Sequence, residues 1–246
     1  QLKDYQIFCA AINNKYIAFG TIRNGLIIKN LKTGLTSYAN NMTGLQNNTV
    51  LSMKFDKRNN IWLGLDNGIS YVLLDMPYRD MTGDKYSIGT GYASIRYNDR
   101  LYLGTNQGLF YIPSQLSYSP NPATPALVIS GQVWQLQNIG GTLFCGSDEG
   151  AFIVKGNSCH KLQGPDGSWN FHPLKRHPGY ILASDYIGFY IIRKDGDNIT
   201  FRNRLRGFNE TSGSFEEDAD GSIWIKHWLK GIYHIILNND LTAVKS

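Results

Sequence analysis

The sequence has few cysteines, little charge and no long apolar run, and each shortage closes off a class of protein. Its three cysteines, Cys9, Cys145 and Cys159, are odd in number and too few for a disulfide framework. Cys9 and Cys145 fall in segments expected to be strands, where buried free thiols are the expected state. No stretch approaches the roughly 18–20 apolar residues of a membrane helix. No signal peptide is visible, and the chain starts at Gln1, which reads as a piece excised from a longer protein. Charged residues are only 17% of the chain, and the net charge of +5 is spread along it. The densest basic knots, at 57–59 and 174–179, are too short for a nucleic-acid stripe and read as solvated turns. No segment of ten residues holds a helical period, which argues against βαβ units. The five histidines, His160, His172, His177, His227 and His234, form no metal-spaced pair on a helix, and no G-x-S-x-G elbow occurs. No metal, cofactor or catalytic residue is therefore expected.

What the chain does have is a recurring phrase. Asn59 to Val72 reads NNIWLGLDNGISYV. Related phrases follow at Arg100 to Ile112 (RLYLGTNQGLFYI), Thr142 to Val154 (TLFCGSDEGAFIV) and Tyr180 to Ile192 (YILASDYIGFYII). Two versions one residue longer stand at Lys15 to Ile28 and Ser222 to Ile235. The second glycines of these phrases are Gly25, Gly68, Gly108, Gly150, Gly188 and Gly231, spaced by 43, 40, 42, 38 and 43 residues. A period of this size names a repeat architecture. It also excludes a phosphate loop, which occurs once and opens a helix, whereas each glycine here leads into another β-rich run. An EF-hand needs more acidic oxygens than these turns supply. The glycines are expected to serve hairpin turns that require φ > 0.

The second repeat is the clearest. Thr49 to Asp56 reads as a strand, Asp56 to Asn60 as a polar turn, Ile61 to Leu65 and Ile69 to Leu74 as apolar strands, and a fourth strand is expected near Lys85 to Ser87. The first repeat opens on an inner strand at Tyr5 to Ala11, and the last closes on an edge strand at Leu241 to Val244. Four strands per roughly 40 residues make a propeller blade. The fold class expected is all-β: a β-propeller of four-stranded blades, six of them visible in 1–246, as a closed six-bladed ring or part of a larger propeller. Trp62 and Trp224 share one slot and are expected to wedge between adjacent blades. The turns between second and third strands should lie on one face with the segments that lead into each blade, and the DKRNN type of turn on the other.

The stretch from Thr43 to Val72 resembles the two-component regulator propeller repeat. Gly44, Leu45, Asn48, Val50, Asp56, Ile61, Trp62, Gly64, Asp66, Gly68 and Ile69 carry the likeness. The third and sixth repeats match in part, and the fourth and fifth by spacing. The resemblance implies a periplasmic sensing domain of a hybrid two-component histidine kinase or a related membrane-anchored transcription regulator. It further implies detection of glycan breakdown products, often through a homodimer, with a β-sandwich, a membrane helix and an output module downstream. Membrane contact would come only through such absent segments. Ligand residues are not part of the repeat, so none transfers.

The sixth repeat departs most from the common pattern: Lys226, His227 and Trp228 replace a small turn. Trp169 and Tyr186 lie in loops expected on the same face, one blade away. Aromatic faces beside polar groups suit sugar rings, and these five residues are the expected ligand contacts. Replacing His227 or Trp228 by alanine is expected to weaken binding and spare stability. A plainer reading has Trp169 and Trp228 packing against neighbouring blades. A propeller-class lyase or glycosidase, and a pure protein-interaction scaffold, are the rival functions.

Overall fold

Short apolar runs rich in β-branched and aromatic residues, bounded by Gly, Asn and Asp, form strands because those side chains fit a pleated, half-buried surface. The computed structural model describes residues 5–75, 87–114 and 124–245. Among them are 22 strands in six antiparallel sheets, each a meander hydrogen-bonded in chain order. The first sheet holds β1 (Ile7–Ile12), β2 (Tyr16–Thr21), β3 (Leu26–Asn30) and β4 (Thr36–Ala39). The second holds β5 (Val50–Phe55), β6 (Ile61–Leu65) and β7 (Gly68–Val72). The third holds β8 (Gly91–Tyr97), β9 (Arg100–Thr105), β10 (Gly108–Pro113) and β11 (Ala126–Ser130). The fourth holds β12 (Val133–Ile139), β13 (Thr142–Ser147), β14 (Gly150–Lys155) and β15 (Ser158–Lys161). The fifth holds β16 (Asn170–Pro173), β17 (Tyr180–Ser184), β18 (Phe189–Asp195) and β19 (Asn198–Arg204). The sixth holds β20 (Ser214–Glu217), β21 (Ile223–His227) and β22 (Gly231–Ile235).

The sheets fall into two compact units. One comprises residues 1–87 and 112–125 and contains the first two sheets; the other comprises 88–111 and 126–246 and contains nearly all of the other four. A lone blade cannot bury both faces, so its core is made with its neighbour. In the first unit Ala18, Leu26, Val50, Ile61 and Leu63 form one such core. In the second unit three cores follow one another. Tyr102, Leu109, Val133 and Leu143 join the third and fourth sheets, and Phe144, Ile153, Phe171 and Tyr190 join the fourth and fifth. Phe189, Leu182, Phe215 and Ile225 join the fifth and sixth.

In the first four phrases two glycines have separate tasks; Ser184 and Lys226 take the place of the first glycine in the fifth and sixth. All six second glycines take positive φ, from +77° at Gly25 to +157° at Gly108, as the turns demand. Of the first glycines, Gly20, Gly104 and Gly146 admit the next blade. A Cβ on Gly104 would sit 2.5 Å from Val133 Cγ1, and one on Gly146 2.6 Å from the Ser168 carbonyl oxygen. The polar turn of the second blade is held by Asp56. Its carboxylate accepts from the Arg58 and Asn60 amides at 2.7 and 3.0 Å and from the Tyr71 hydroxyl at 2.7 Å. Asp218 repeats this in the sixth, accepting from the Ala219 amide at 2.6 Å and from Trp224 Nε1 at 3.1 Å.

Two local expectations change. Trp62 and Trp224 are not wedged between blades: they are 50% and 46% exposed. Each lies on its cross-strand partner in its own sheet, Trp62 4.6 Å from Tyr71 and Trp224 4.1 Å from His234 between ring centroids. The closing strand at Leu241 to Val244 is reduced to two single bridges, Leu237 with Val244 and Arg206 with Ala243. Leu241 has φ +56°, which no strand accommodates, and the Asn238 side chain bonds the Thr242 and Ala243 amides into a tight turn instead. The fourth strand expected near Lys85 to Ser87 lies almost wholly outside the described residues. The three cysteines are free, with Cys145 buried and Cys9 and Cys159 half-buried.

Candidate ligand-binding site

The inner strands of the first four sheets share an irregularity. Register shifts between Ile7 and Cys9, Val50 and Ser52, Gly91 and Ala93, and Val133 and Gln135. One extra residue sits in each bulge: Phe8, Leu51, Tyr92 and Trp134. A bulge breaks the in–out alternation and re-aims its side chain. In the fifth sheet Trp169 occupies the same place, just before the Asn170–Ser184 pair, its amide donating to the Ser184 carbonyl at 2.8 Å. In the sixth that place is Gly213, just before the Ser214–Lys226 pair.

In the second unit these positions build a row of rings. Tyr92 lies 5.1 Å from Trp134, Trp134 4.8 Å from Trp169, and Trp169 5.6 Å from Trp228 between centroids. Tyr186 meets Trp169 edge-on at 5.2 Å. The row borders a cavity of about 420 Å³ lined by Tyr92, Trp134, Gln135, Trp169, Asn170, Gly213, Ser214, Lys226 and Trp228. That volume is in the range of small-ligand pockets, and the mixture of rings with a few polar groups is the usual lining. The cavity exists because the sixth blade has a glycine where its neighbours have rings: the nearest side-chain atoms to a Cβ on Gly213 are those of Trp169, 4.0 Å away.

The structure brings Trp169, Lys226 and Trp228 together on this cavity and sets Tyr186 against Trp169. It does not bring His227 to the lining. His227 is 8% exposed, and its Nδ1 accepts from the Leu229 and Lys230 amides at 3.1 and 3.0 Å. Its Nε2 is 3.6 Å from Glu210, whose other carboxylate oxygen is 2.6 Å from Lys230 Nζ. His227 thus caps the turn that carries Trp228, which is 62% exposed. The hydrogen bond from Lys230 holds the Glu210 carboxyl below its ordinary value, with His227 adding to the effect. Below Tyr186, the buried Asp185 carboxylate pairs with Arg204 at 2.6 Å and accepts from the Ile187 amide. The Asp185 carbonyl takes the Thr211 hydroxyl, which in turn accepts from Trp169 Nε1 at 3.0 Å. This chain fixes both rings.

Sequence reasoning passed over Tyr92, Trp134, Gln135, Asn170, Gly213 and Ser214. For Tyr92 and Trp134 the signal was present: an aromatic residue one place into the inner strand, out of step with the alternation. A second hollow among the described residues lies in the first unit beside β7, lined by residues that include Leu45, Ile69, Tyr71 and Leu73. Among the described residues no group of three His, Cys, Asp or Glu side chains is placed to hold a metal ion.

Residues 44–67 match the two component regulator propeller family. No curated protein matches the sequence. Among solved structures, the chain is similar to the extracellular domain described as that of a hybrid two component system, BT3049 from B. thetaiotaomicron. The identity is 16% and the TM-score 0.63, over 98% of this chain and 34% of that one. It is also similar to the extracellular domain of BT4673 from the same organism, described once as a hybrid two component and once as a one component system. There the identity is again 16%, with TM-scores of 0.52 and 0.50 over 98% of this chain and 37% of that one. The chain spans little more than a third of those domains. At such identity the likeness shows the fold: an all-β propeller carrying a two-component regulator repeat.

Proposed function

We propose that this propeller is part of an extracytoplasmic sensor that binds a short oligosaccharide released by glycan breakdown. It would pass the event to an output module of a longer, membrane-anchored chain, as a homodimer. The observation that carries the reading is the ring row of Tyr92, Trp134, Trp169 and Trp228 along one cavity. Sugars stack their C–H faces on such rings, and Gln135, Asn170 and Ser214 add hydrogen-bonding groups beside them. The setting comes from the neighbours, which are extracellular domains of two component systems, and from the matching repeat. Binding is favoured over a glycosidase because the described residues of the cavity lining include no carboxylate, and glycoside hydrolysis commonly needs a pair.

The test is a glycan panel run for both binding and turnover. Retention of a saccharide without cleavage is the expected result; release of shortened products would establish the enzyme instead. Gly213→Phe is expected to fill the cavity and abolish retention while leaving the melting temperature close to wild type. Gly213 is not among the positive-φ glycines, so the backbone accepts the ring. If Gly213→Phe binds as well as wild type, the ligand sits elsewhere.

A further inference from the structure

The lining of the cavity has one basic side chain, Lys226, and the fold gives no reason for it. Lys226 pairs across the sheet with Ser214. The equivalent pairs are Gly20 with Cys9, Gly64 with Ser52, Gly104 with Ala93 and Gly146 with Gln135. Lys226 therefore stands where four other blades have the first glycine. At Gly20, Gly104 and Gly146 the next blade closes on that slot and leaves no room for a Cβ. In the sixth sheet Lys226 takes that slot, exposed and lining the cavity.

No described residue neutralises this lysine. Among the described residues Lys226 makes no ion pair and no side-chain hydrogen bond. The acids of the adjoining loops and strand have other partners: Glu210 has Lys230 at 2.6 Å and His227 at 3.6 Å, Asp185 has Arg204 at 2.6 Å, and Glu216, two residues along β20 from Ser214, has His172 at 3.7 Å. The cavity thus presents an uncompensated positive charge among aromatic rings. A neutral sugar would be served by the amides and hydroxyl already there. A lysine can donate to a neutral hydroxyl as well, but its gain is greatest where the partner is an anion, because the attraction between two opposite charges is then added to the hydrogen bond. It also repels cationic ligands, which aromatic rings would otherwise attract.

We infer that the ligand is an acidic oligosaccharide whose carboxylate or sulfate group is read by Lys226 while its rings lie along Trp134, Trp169 and Trp228. This rests on the saccharide-binding role proposed above and adds the charge class.

The test uses a panel of neutral, uronate-bearing and sulfated oligosaccharides, followed by titration calorimetry of the best binder in each class. An acidic probe is expected to bind at least tenfold more tightly than the best neutral one, and the uronate and sulfate arms identify which anion. Lys226→Gln is expected to remove that advantage by lowering acidic-probe affinity far more than neutral-probe affinity; higher ionic strength should act in the same direction. If neutral sugars bind as tightly as acidic ones, or Lys226→Gln leaves the acidic probe's affinity intact, the charge assignment is overturned while the sugar site stands. If no saccharide of any class binds, both readings fall together.

Discussion

His227 and Trp228 are neighbours in sequence with opposite surroundings, and substitutions separate them. His227 is buried and accepts two backbone amides, so His227→Ala leaves both donors without their partner. It is expected to cost about 1–3 kcal/mol, read as a lowered melting temperature, with any loss of binding following from disorder in the turn. Trp228 is largely exposed and touches Trp169. Trp228→Ala is expected to leave the melting temperature nearly unchanged and to weaken saccharide binding about tenfold or more, roughly 1.4 kcal/mol. Unfolding of the Trp228 variant would make the indole a packing residue and remove it from the site. The departure of this turn from the repeat was plain in the sequence. Which side chain of Lys226, His227 and Trp228 faces the cavity was not, because the other turn of that length, at Thr21 to Gly25, carries different side chains and so gives no guide to their directions.

At the scale of the element, the strand-to-strand junctions set what each position tolerates. Gly146→Ala would place a methyl carbon 2.6 Å from the Ser168 carbonyl oxygen, a backbone atom whose displacement drags Trp169 with it. Overpacking of this kind typically costs about 1–3 kcal/mol. Thermal denaturation should show it, together with a changed tryptophan emission spectrum; a variant as stable as wild type would mean the fourth and fifth sheets are not held this closely. Gly68→Val tests the turns. At φ +95° a β-branched residue is strained, by roughly 1–3 kcal/mol, and a Cβ also collides with the Gln46 side chain. An unchanged melting curve would show the glycine to be incidental. Strands such as Ile61–Leu65 were legible because turn residues bracket them. The bulges were not, since one added residue leaves a short inner strand looking like a slightly irregular alternation.

For the molecule as a whole, circular dichroism should report β-structure with almost no helix; a helix content near a third, the globular average, would be incompatible with six meander sheets. Acid should be the weak side of its stability. Hydrogen bonds from Tyr71, Tyr16 and Ser222 hold Asp56, Asp75 and Asp220 below the ordinary aspartate value of 3.8, and the Ala219 amide does the same for Asp218. Lys230 holds Glu210 below 4.5. A carboxyl depressed in the folded state contributes stability above its unfolded value and loses it as pH falls through the folded one. The melting temperature is therefore expected to hold near neutrality and to fall once pH drops below about 4. A curve flat to lower pH would show that these contacts are too well solvated to matter.

By itself the sequence determined the repeat, the strand order within each blade and the need for glycine at each turn. These are local matters: periodicity, φ > 0 and the two-residue alternation of strands act over a few neighbours. Only the tertiary structure decided which residues line the cavity. Tyr92, Trp134, Trp169, Gly213 and Lys226 come from four different sheets, tens of residues apart in the chain. They meet because blade-to-blade packing sets one inner strand beside the next. The open space among them depends on Gly213 lacking the ring its counterparts carry. A missing side chain becomes a cavity only when the neighbours that frame it are in place.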